Sequence, residues 1–242
     1  MTVAPTGLRH RPVRHHFPFP AAIAALAAIG IGVLIGYWIF GGSSSGSGTQ
    51  QGSGHAAAQA RSVGAFTGVD LAGSNIVSIK VGASRSVVVH ADDNLLKRVT
   101  TEVHAGRLVV GNTGSFSTKS PMRVDVTTPS LSTLALSGSG IVTVTGVTGA
   151  RLGIELPGSG VIRAGGTVTR LDVSVAGSGD AELQGLTAKV VHATVAGSGR
   201  VVVTATDTLD ASIPGSGAIM YGGNPAHVTT HVTGSGAVVP GG

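Results

Sequence analysis

Apolar and polar positions alternate along most of residues 131–242. Two runs that illustrate the pattern are residues 152–156 and 171–175, in which every second residue is Leu, Ile or Val. Each run ends two residues before a glycine, and apolar residues return four and six positions after that glycine, as at Ile162 and Ala164. Alternation with a period of two is typical of a strand with one buried face. The pattern therefore predicts pairs of short strands that flank a glycine turn.

The turns share a Gly-Ser-Gly triplet that occurs six times from Gly138 onward, at intervals of 20, 19, 20, 18 and 19 residues. A fixed period near twenty indicates a repeat architecture, in which each unit buries its apolar face by stacking on its neighbours. Glycine suits such turns because it tolerates positive φ and the close approach of another backbone. The predicted corner glycines are Gly138, Gly140, Gly158, Gly160, Gly177, Gly179, Gly197, Gly199, Gly215, Gly217, Gly234 and Gly236.

The repeat predicts an all-β fold, a single-stranded β-helix or β-solenoid with about 19–20 residues in each coil. Coils stacked in register form parallel ladders, and six coils at ~4.8 Å would extend for roughly 29 Å. Residues 63–130 carry strand patterns with less regular spacing. We expect them to cap the N-terminal end of a solenoid domain that spans residues 63–242, with the regular coils in residues 131–242. At the other end, Pro240 and the final glycines are expected to limit edge-to-edge aggregation.

The N-terminal part has a different pattern. Residues 21–40 read AAIAALAAIGIGVLIGYWIF, without a charge. A helix of that length spans ~30 Å and crosses a bilayer core. The alternative is a cleaved signal peptide, whose apolar region is usually 7–15 residues long. We favour an uncleaved single-pass anchor.

Three arginines lie in residues 1–20, and no Lys or Arg follows the apolar run until Arg61. The positive-inside rule then makes residues 1–20 a basic cytoplasmic tail. It places the C-terminal domain outside the cytoplasm, in a periplasm or at the cell surface. Residues 41–62 are rich in Gly, Ser and Ala and predict a flexible linker with a reach of ~25 Å.

Composition excludes several functions. The formal net charge is +5, but three of the basic residues belong to the N-terminal tail, so the sequence has no dense basic face for nucleic acid. The chain has no cysteine, which excludes disulfides and thiolate chemistry. No Ser/His/Asp arrangement has the context of a nucleophile. A calcium-binding ladder needs repeated carboxylates, and only Asp180 directly follows a triplet. We therefore expect neither an enzyme nor a cofactor.

One column of outward-facing positions carries candidate chemistry. Asp172, His192 and Asp210 each lie five residues before a corner glycine, so they should stack on successive coils ~4.8 Å apart. Two carboxylates beside an imidazole have the chemistry to bind a cation or to transfer a proton. The alternative is a solvated charge ladder. On another face, Arg163 and Glu182 are expected to form a surface ion pair.

Several segments together resemble a known family. FTGVDLAGSNIVSIKVG stands near residue 66, VDVTTPSLSTLALSGSG near residue 124, and IMYGGNPAHVTTHVTGSGAV at the end of the Gly-Ser-Gly series. In order and spacing they resemble the autotransporter-adhesin head domain, called the GIN domain, over residues 63–242. The resemblance implies a right-handed β-helix, an exported location and no catalytic residues.

The expected function is a binding or adhesion module at the cell envelope, with another envelope protein or a glycan as partner. A structural or signalling role beside another envelope protein is the alternative. A polysaccharide-active enzyme is less favoured, because the acids are scattered and aromatic residues make up only 3% of the chain.

Overall fold

The computed structural model describes residues 49–241, which form an all-β domain with a solenoid of about five turns and one short 3₁₀ helix, Asp93–Arg98. The strands are β1 Gln50–Gln51, β2 Ala56–Ala60, β3 Gly68–Leu71, β4 Ile76–Val81, β5 Ser86–Asp92, β6 Val99–His104, β7 Arg107–Asn112, β8 Phe116–Ser117, β9 Arg123–Thr128, β10 Thr133–Leu136, β11 Ile141–Leu156, β12 Val161–Val175, β13 Asp180–Val195, β14 Arg200–Ile213, β15 Ala218–Gly222, β16 His227–Val232 and β17 Ala237–Pro240.

The predicted tail (residues 1–20) and membrane helix (residues 21–40) lie outside the described residues. Within residues 49–241 no helix has the length and apolar character needed to cross a bilayer.

The predicted parallel ladders are confirmed. Strands β11 to β14 each follow almost a whole coil, and each pairs in parallel with the next. Leu152, Leu171, Val191 and Leu209 occupy equivalent positions in four successive coils. The register shifts within these strands fall where the chain bends from one face of the solenoid to the next, for example between Val144 and Val147.

The alternating aliphatic residues share one interior, as predicted. The apolar positions that flank the corners from Gly138 to Gly197 are almost completely buried, and a single apolar cluster runs from Phe66 to Ile219. Branched aliphatics dominate it, while Ala193 and Ala211 fill one inward column on two successive coils. Burial of this surface stabilises the fold by ~25 cal/mol for each Å² removed from water.

The corner glycines are needed because the coils approach each other closely. A Cβ atom added to Gly177 would lie 2.1 Å from the carbonyl oxygen of Gly158 in the preceding coil. A Cβ on Gly179 would lie 2.5 Å from the oxygen of Gly160. None of the predicted corner glycines has a positive φ. Of the two reasons for glycine considered from the sequence, close backbone approach is therefore the one that operates at the corners.

A seventh corner, missed by the sequence pattern, lies at Gly73-Ser74-Asn75. It stacks beneath the corner that begins at Gly138, whose Cβ would lie 2.0 Å from the oxygen of Gly73. Asn75 replaces the second glycine, and its side chain exchanges hydrogen bonds of 2.9 and 3.2 Å with Asn112. The layer beneath this corner presents the side chain of Asn112 and not the backbone of another corner. A side chain can therefore occupy position 75, and it bonds to Asn112.

The coils at the N-terminal end do not stack in chain order. Strand β3 lies between β7 and β10, and β4 lies between β9 and β11. The first strands of the domain are thus inserted between two later layers. This corrects the expectation that residues 63–130 form only a cap, since β3, β4, β7 and β9 belong to the stack itself.

Antiparallel strands close this end of the solenoid. Strand β5 pairs antiparallel with β9, β2 pairs antiparallel with β5, and β6 pairs antiparallel with β7. We call this the capped end. Covered in this way, the N-terminal layers do not expose a parallel edge that continues the repeat.

The prediction of a flexible linker over residues 41–62 is wrong from Gln50 onward, where the chain forms strands. Strand β1 pairs with β8 and strand β2 extends the sheet beside β5, so Gln50–Ala60 forms a strap on the capped end. Polar side chains hold it in place: Asn94 accepts from the Ser53 backbone N–H at 3.0 Å, and Asn94 Nδ2 donates to the Gln51 carbonyl at 2.8 Å. Backbone pairing with an open strand edge needs no apolar periodicity, so the composition gave no sign of it.

Asp92 fastens the loop beneath the strap. Its carboxylate is buried and accepts hydrogen bonds from Ser120 Oγ at 2.7 Å, the Lys119 backbone N–H at 2.9 Å and Thr118 Oγ1 at 3.2 Å. These bonds, that of Ser120 first, lower the pKa of Asp92 to about 2 although burial opposes the shift. The charged form of Asp92 therefore stabilises the folded state.

The other end of the solenoid is open. Strands β16 and β17 form the last described coil, and within residues 49–241 each pairs on one side only. Val228, Val232 and Val239 are 41, 42 and 40% exposed. Pro240 lies in β17 opposite Tyr221.

Replacement of Gly177 by alanine should destabilise the domain by about 2 kcal/mol or more, because the new methyl group must displace backbone in the coil beneath. Gly149→Ala is the matched control, since a Cβ at Gly149 meets nothing within 4 Å, and it should change stability by less than about 0.5 kcal/mol. Urea denaturation measures both. Equal effects of the two changes would contradict the close-approach explanation.

The pKa of Asp92 predicts acid sensitivity. Because this pKa is lowered from 3.8 to about 2 in the folded state, the stabilisation is complete above about pH 4 and is lost as the pH falls toward 2. Asp92→Asn should flatten the dependence of the urea midpoint on pH within that window, whereas Asp207→Asn, at an exposed position, should keep it. An unchanged slope in Asp92→Asn would show that other carboxylates cause the acid sensitivity.

Candidate functional site: the lateral charge columns

The strand register places the candidate residues in one column. Asp172 pairs with His192, and His192 pairs with Asp210, on three successive coils. Their side chains lie on the outside of the solenoid because the alternate residues of the same strands face the core. The predicted stacking is therefore present, and whether the column binds a ligand stays a prediction.

Asp172 interacts mainly with two arginines. Arg151 Nε lies 2.7 Å from Asp172 Oδ2, and Arg170 Nη2 lies 3.0 Å from Asp172 Oδ1. Burial raises the pKa of Asp172, but the hydrogen bonds from Arg170 and Arg151 outweigh that effect, so the pKa is lowered overall. Asp172 thus stays ionised and neutralises one of two neighbouring guanidinium groups.

The two arginines occupy the same position in the sequence repeat, but the sequence-based prediction of candidate columns did not include them. Arg151 and Arg170 each lie seven positions before a corner glycine, and they pair with each other in adjacent coils. Like charges in adjacent coils repel, and Asp172 relieves this repulsion by contacting both. The repeat period that predicts Asp172 beside His192 also predicts Arg151 beside Arg170.

His192 forms a second, separate contact. Its Nδ1 atom lies 3.5 Å from Asp210 Oδ2, and both side chains are about two-fifths exposed. The column is therefore divided into an Arg–Asp–Arg cluster and a His–Asp pair, and it does not place one imidazole between two free carboxylates. Within residues 49–241 no group of three or more His, Asp or Glu side chains is arranged to hold a metal ion.

A second set of charges lies on the face that follows the corner. Arg163 Nε contacts Glu182 Oε2 at 2.7 Å, which confirms the predicted ion pair, and Arg200 contacts Asp180 at 3.4 Å. Both pairs join adjacent coils and remain accessible to water. At such exposure each contributes at most about 1 kcal/mol to stability, so their charges are available for contacts with other molecules.

An open depression of the described surface lies at the capped end. It encloses about 490 Å³, and charged residues in its lining are Arg61, Lys97 and Glu102. Arg61 Nη2 donates to the Leu96 carbonyl at 2.6 Å, so this guanidinium holds the chain at the end of the strap.

Comparison with known proteins agrees with this architecture. The family model described as "Putative auto-transporter adhesin, head GIN domain" matches residues 65–225, about two thirds of the chain. The chain belongs to this family. The match begins just before β3 and ends just before β16, so this GIN domain includes the inserted first coil and six of the seven corners. No curated protein matches the chain.

Solved structures show the same fold. A "putative adhesin" from Bacteroides fragilis NCTC 9343 aligns with a TM-score of 0.66 and 21% identity, over 78% of this chain and 99% of that one. A "putative adhesin" from Parabacteroides distasonis ATCC 8503 aligns with a TM-score of 0.51 and 23% identity, over 80% and 100%. These likenesses establish the β-solenoid fold of the GIN domain, since the alignments cover 99% and 100% of the two solved structures.

Asp172→Asn should lower stability by no more than about 1 kcal/mol, because its partners are exposed. It should also make stability rise with added salt, since screening would weaken the repulsion between Arg151 and Arg170 that the carboxylate now offsets. Glu182→Gln is the control. Arg163 has no Lys or Arg opposite it in either adjacent coil, so the loss of Glu182 leaves no comparable repulsion between like charges. Thermal melts at low and high salt measure both variants, and equal salt responses would contradict the role given to Asp172.

Proposed function

We propose that this chain displays its GIN domain outside the cytoplasm from a single-pass N-terminal anchor, as a binding or adhesion module of the cell envelope. The anchor is the uncharged run 21–40, preceded by arginines and followed by a Gly/Ser stretch. Membership of the adhesin head-domain family supports the binding role. The lateral charge columns provide surfaces on which a ligand would bind.

The observation that carries the proposal is the uncharged run 21–40, which stands between the N-terminal arginines and the Gly/Ser stretch. The first described strand begins at Gln50, so about ten residues separate residue 40 from the folded domain. One face of that domain is ten strands deep from β2 to β17, roughly 43 Å at the spacing of paired strands. The domain therefore offers a long lateral surface for binding.

Binding along the sides fits the chemistry better than catalysis does. The exposed groups include the ion pairs Arg163–Glu182 and Asp180–Arg200, which join three successive coils. Such a surface suits a polar, extended ligand that carries charged groups, because the charges are spread over several coils. Electrostatic contacts of this kind favour recognition and rapid association.

Protease added to the outside of spheroplasts is expected to remove the GIN domain from full-length protein, because the proposed topology places the Gly/Ser-rich residues 41–49 outside the membrane. A cytoplasmic protein in the same cells is the control for leakage. Survival of the domain outside intact spheroplasts, together with cleavage after permeabilisation, would contradict the proposed topology.

The binding role is tested with the soluble fragment 49–242, which contains nearly all of the compact unit Gly46–Gly242. The wild-type fragment should bind envelope preparations, and Arg151→Ala with Arg170→Ala should reduce binding at least several-fold because two charges leave one lateral column. Lys97→Ala with Lys119→Ala, which removes two exposed positive charges at the capped end, is the matched control. Absence of any binding by a folded fragment would contradict the proposal. An equal loss in both variants would place binding elsewhere than in the Arg151–Arg170 column.

A further inference from the structure

The two ends of the solenoid are unlike. At the capped end, β2, β5 and β6 cover the stack with antiparallel strands. At the open end, no strand of residues 49–241 pairs with the outer edges of β16 and β17. The six residues of β16 are all exposed, and the last coil presents the valines of that strand and Val239 to water. The open end thus combines unpaired backbone groups with exposed apolar side chains.

The position of the two valines of β16 explains their exposure. Val228 and Val232 continue the inward columns that Leu209 and Ile213 occupy one coil earlier, where burial is complete. Each inward residue of an inner coil packs between the coil before it and the coil after it, and in the last coil the second neighbour is missing. One inward column changes to a polar residue, Thr230, above Ala211. The open end therefore has the shape and most of the apolar character of an interior layer.

The open end also lacks the usual protection of a strand edge. Natural edges are commonly guarded by charged side chains, especially lysine. Asp210 is the last charged residue of the sequence, and residues 211–242 contain no Asp, Glu, Lys or Arg. Strand β16 carries His227 and His231, and while these are neutral two identical open ends can approach each other without repulsion between formal charges. A strongly charged partner would find no complementary charge there.

We propose that the open end pairs with the open end of a second copy of this chain. In this arrangement a twofold axis brings β16 antiparallel to β16 of the second copy, so that the unpaired N–H and C=O groups of one edge satisfy those of the other. Val228 and Val232 then pack against their counterparts and regain the missing neighbour. The capped end cannot join in the same way, so the assembly closes as a dimer and does not grow into a fibre.

The interface is small, since one coil covers less than the ~1,200 Å² typical of stable complexes, so we expect weak, concentration-dependent association. Many copies on one surface would strengthen it through multivalency. The inference deepens the proposed function by naming its partner, a second copy of the same domain. Pairing of the soluble fragment does not depend on the membrane anchor, so the two ideas fail separately.

Analytical ultracentrifugation of fragment 49–242 tests the pairing. The wild-type fragment should shift from monomer to dimer as its concentration rises toward about 0.1 mM. The double variant Val228→Lys with Thr230→Lys should remain monomeric, since it places like charges on both sides of the axis. Ile76→Lys is the matched control, because Ile76 is 38% exposed on the side of the solenoid, and it should dimerise like the wild type.

Crosslinking gives a second measurement, because the chain contains no cysteine. Thr229→Cys should yield a covalent dimer with a short thiol reagent, whereas Gln59→Cys on the capped end should not. A monomeric wild type at every concentration, a dimer that survives the Val228→Lys and Thr230→Lys changes, or assembly beyond a dimer would each overturn the proposal. Loss of folding in the lysine variant, detected by circular dichroism, would leave the cysteine pair to decide.

Discussion

The distance between stacked corners constrains the rest of this protein. Successive coils approach so closely that a single methyl group on Gly177 would overlap the carbonyl oxygen of Gly158. Only a residue without a side chain fits, and the triplet must recur at a nearly fixed period for the corners to meet. That period brings the inward aliphatics into columns and the outward charges into ladders. The core and the lateral surfaces are thus both consequences of one steric requirement at the backbone.

The side chains have more freedom than the corners. In one inward column alanine follows valine from coil to coil, as at Val173, Ala193 and Ala211, because neighbouring columns can supply the missing volume. Outside, the charges vary still more, and their pairing depends on which residues happen to be adjacent in the stack. Arg151 and Arg170 are accommodated through Asp172. A family built this way can change its surface extensively while its fold stays constant.

The regular half of the domain could be predicted because its determinants are local and repeated. The corners, the alternating strands, the column of Asp172, His192 and Asp210, and the Arg163–Glu182 pair all follow from one period. The N-terminal part could not be predicted in the same way. The first corner has Asn75 in place of the second glycine, and Asn75 is held by Asn112, which is distant in sequence. The strap depends on an open strand edge that exists only in the folded domain. The division of the candidate column depends on Arg151 and Arg170, whose shared position in the repeat was overlooked although it is visible in the sequence.

The insertion of β3 and β4 between later layers has a mechanical consequence. Force applied at the N-terminus first reaches the strap, whose strands are bonded to the rest of the domain along one edge. Stripping residues 50–60 would extend the chain by about 3.3 Å for each residue released. The force then meets β3, which is hydrogen-bonded on both sides and held between strands made later in the chain. A force that would unfold an ordinary terminal repeat would here release only the strap, and unfolding would stop at β3.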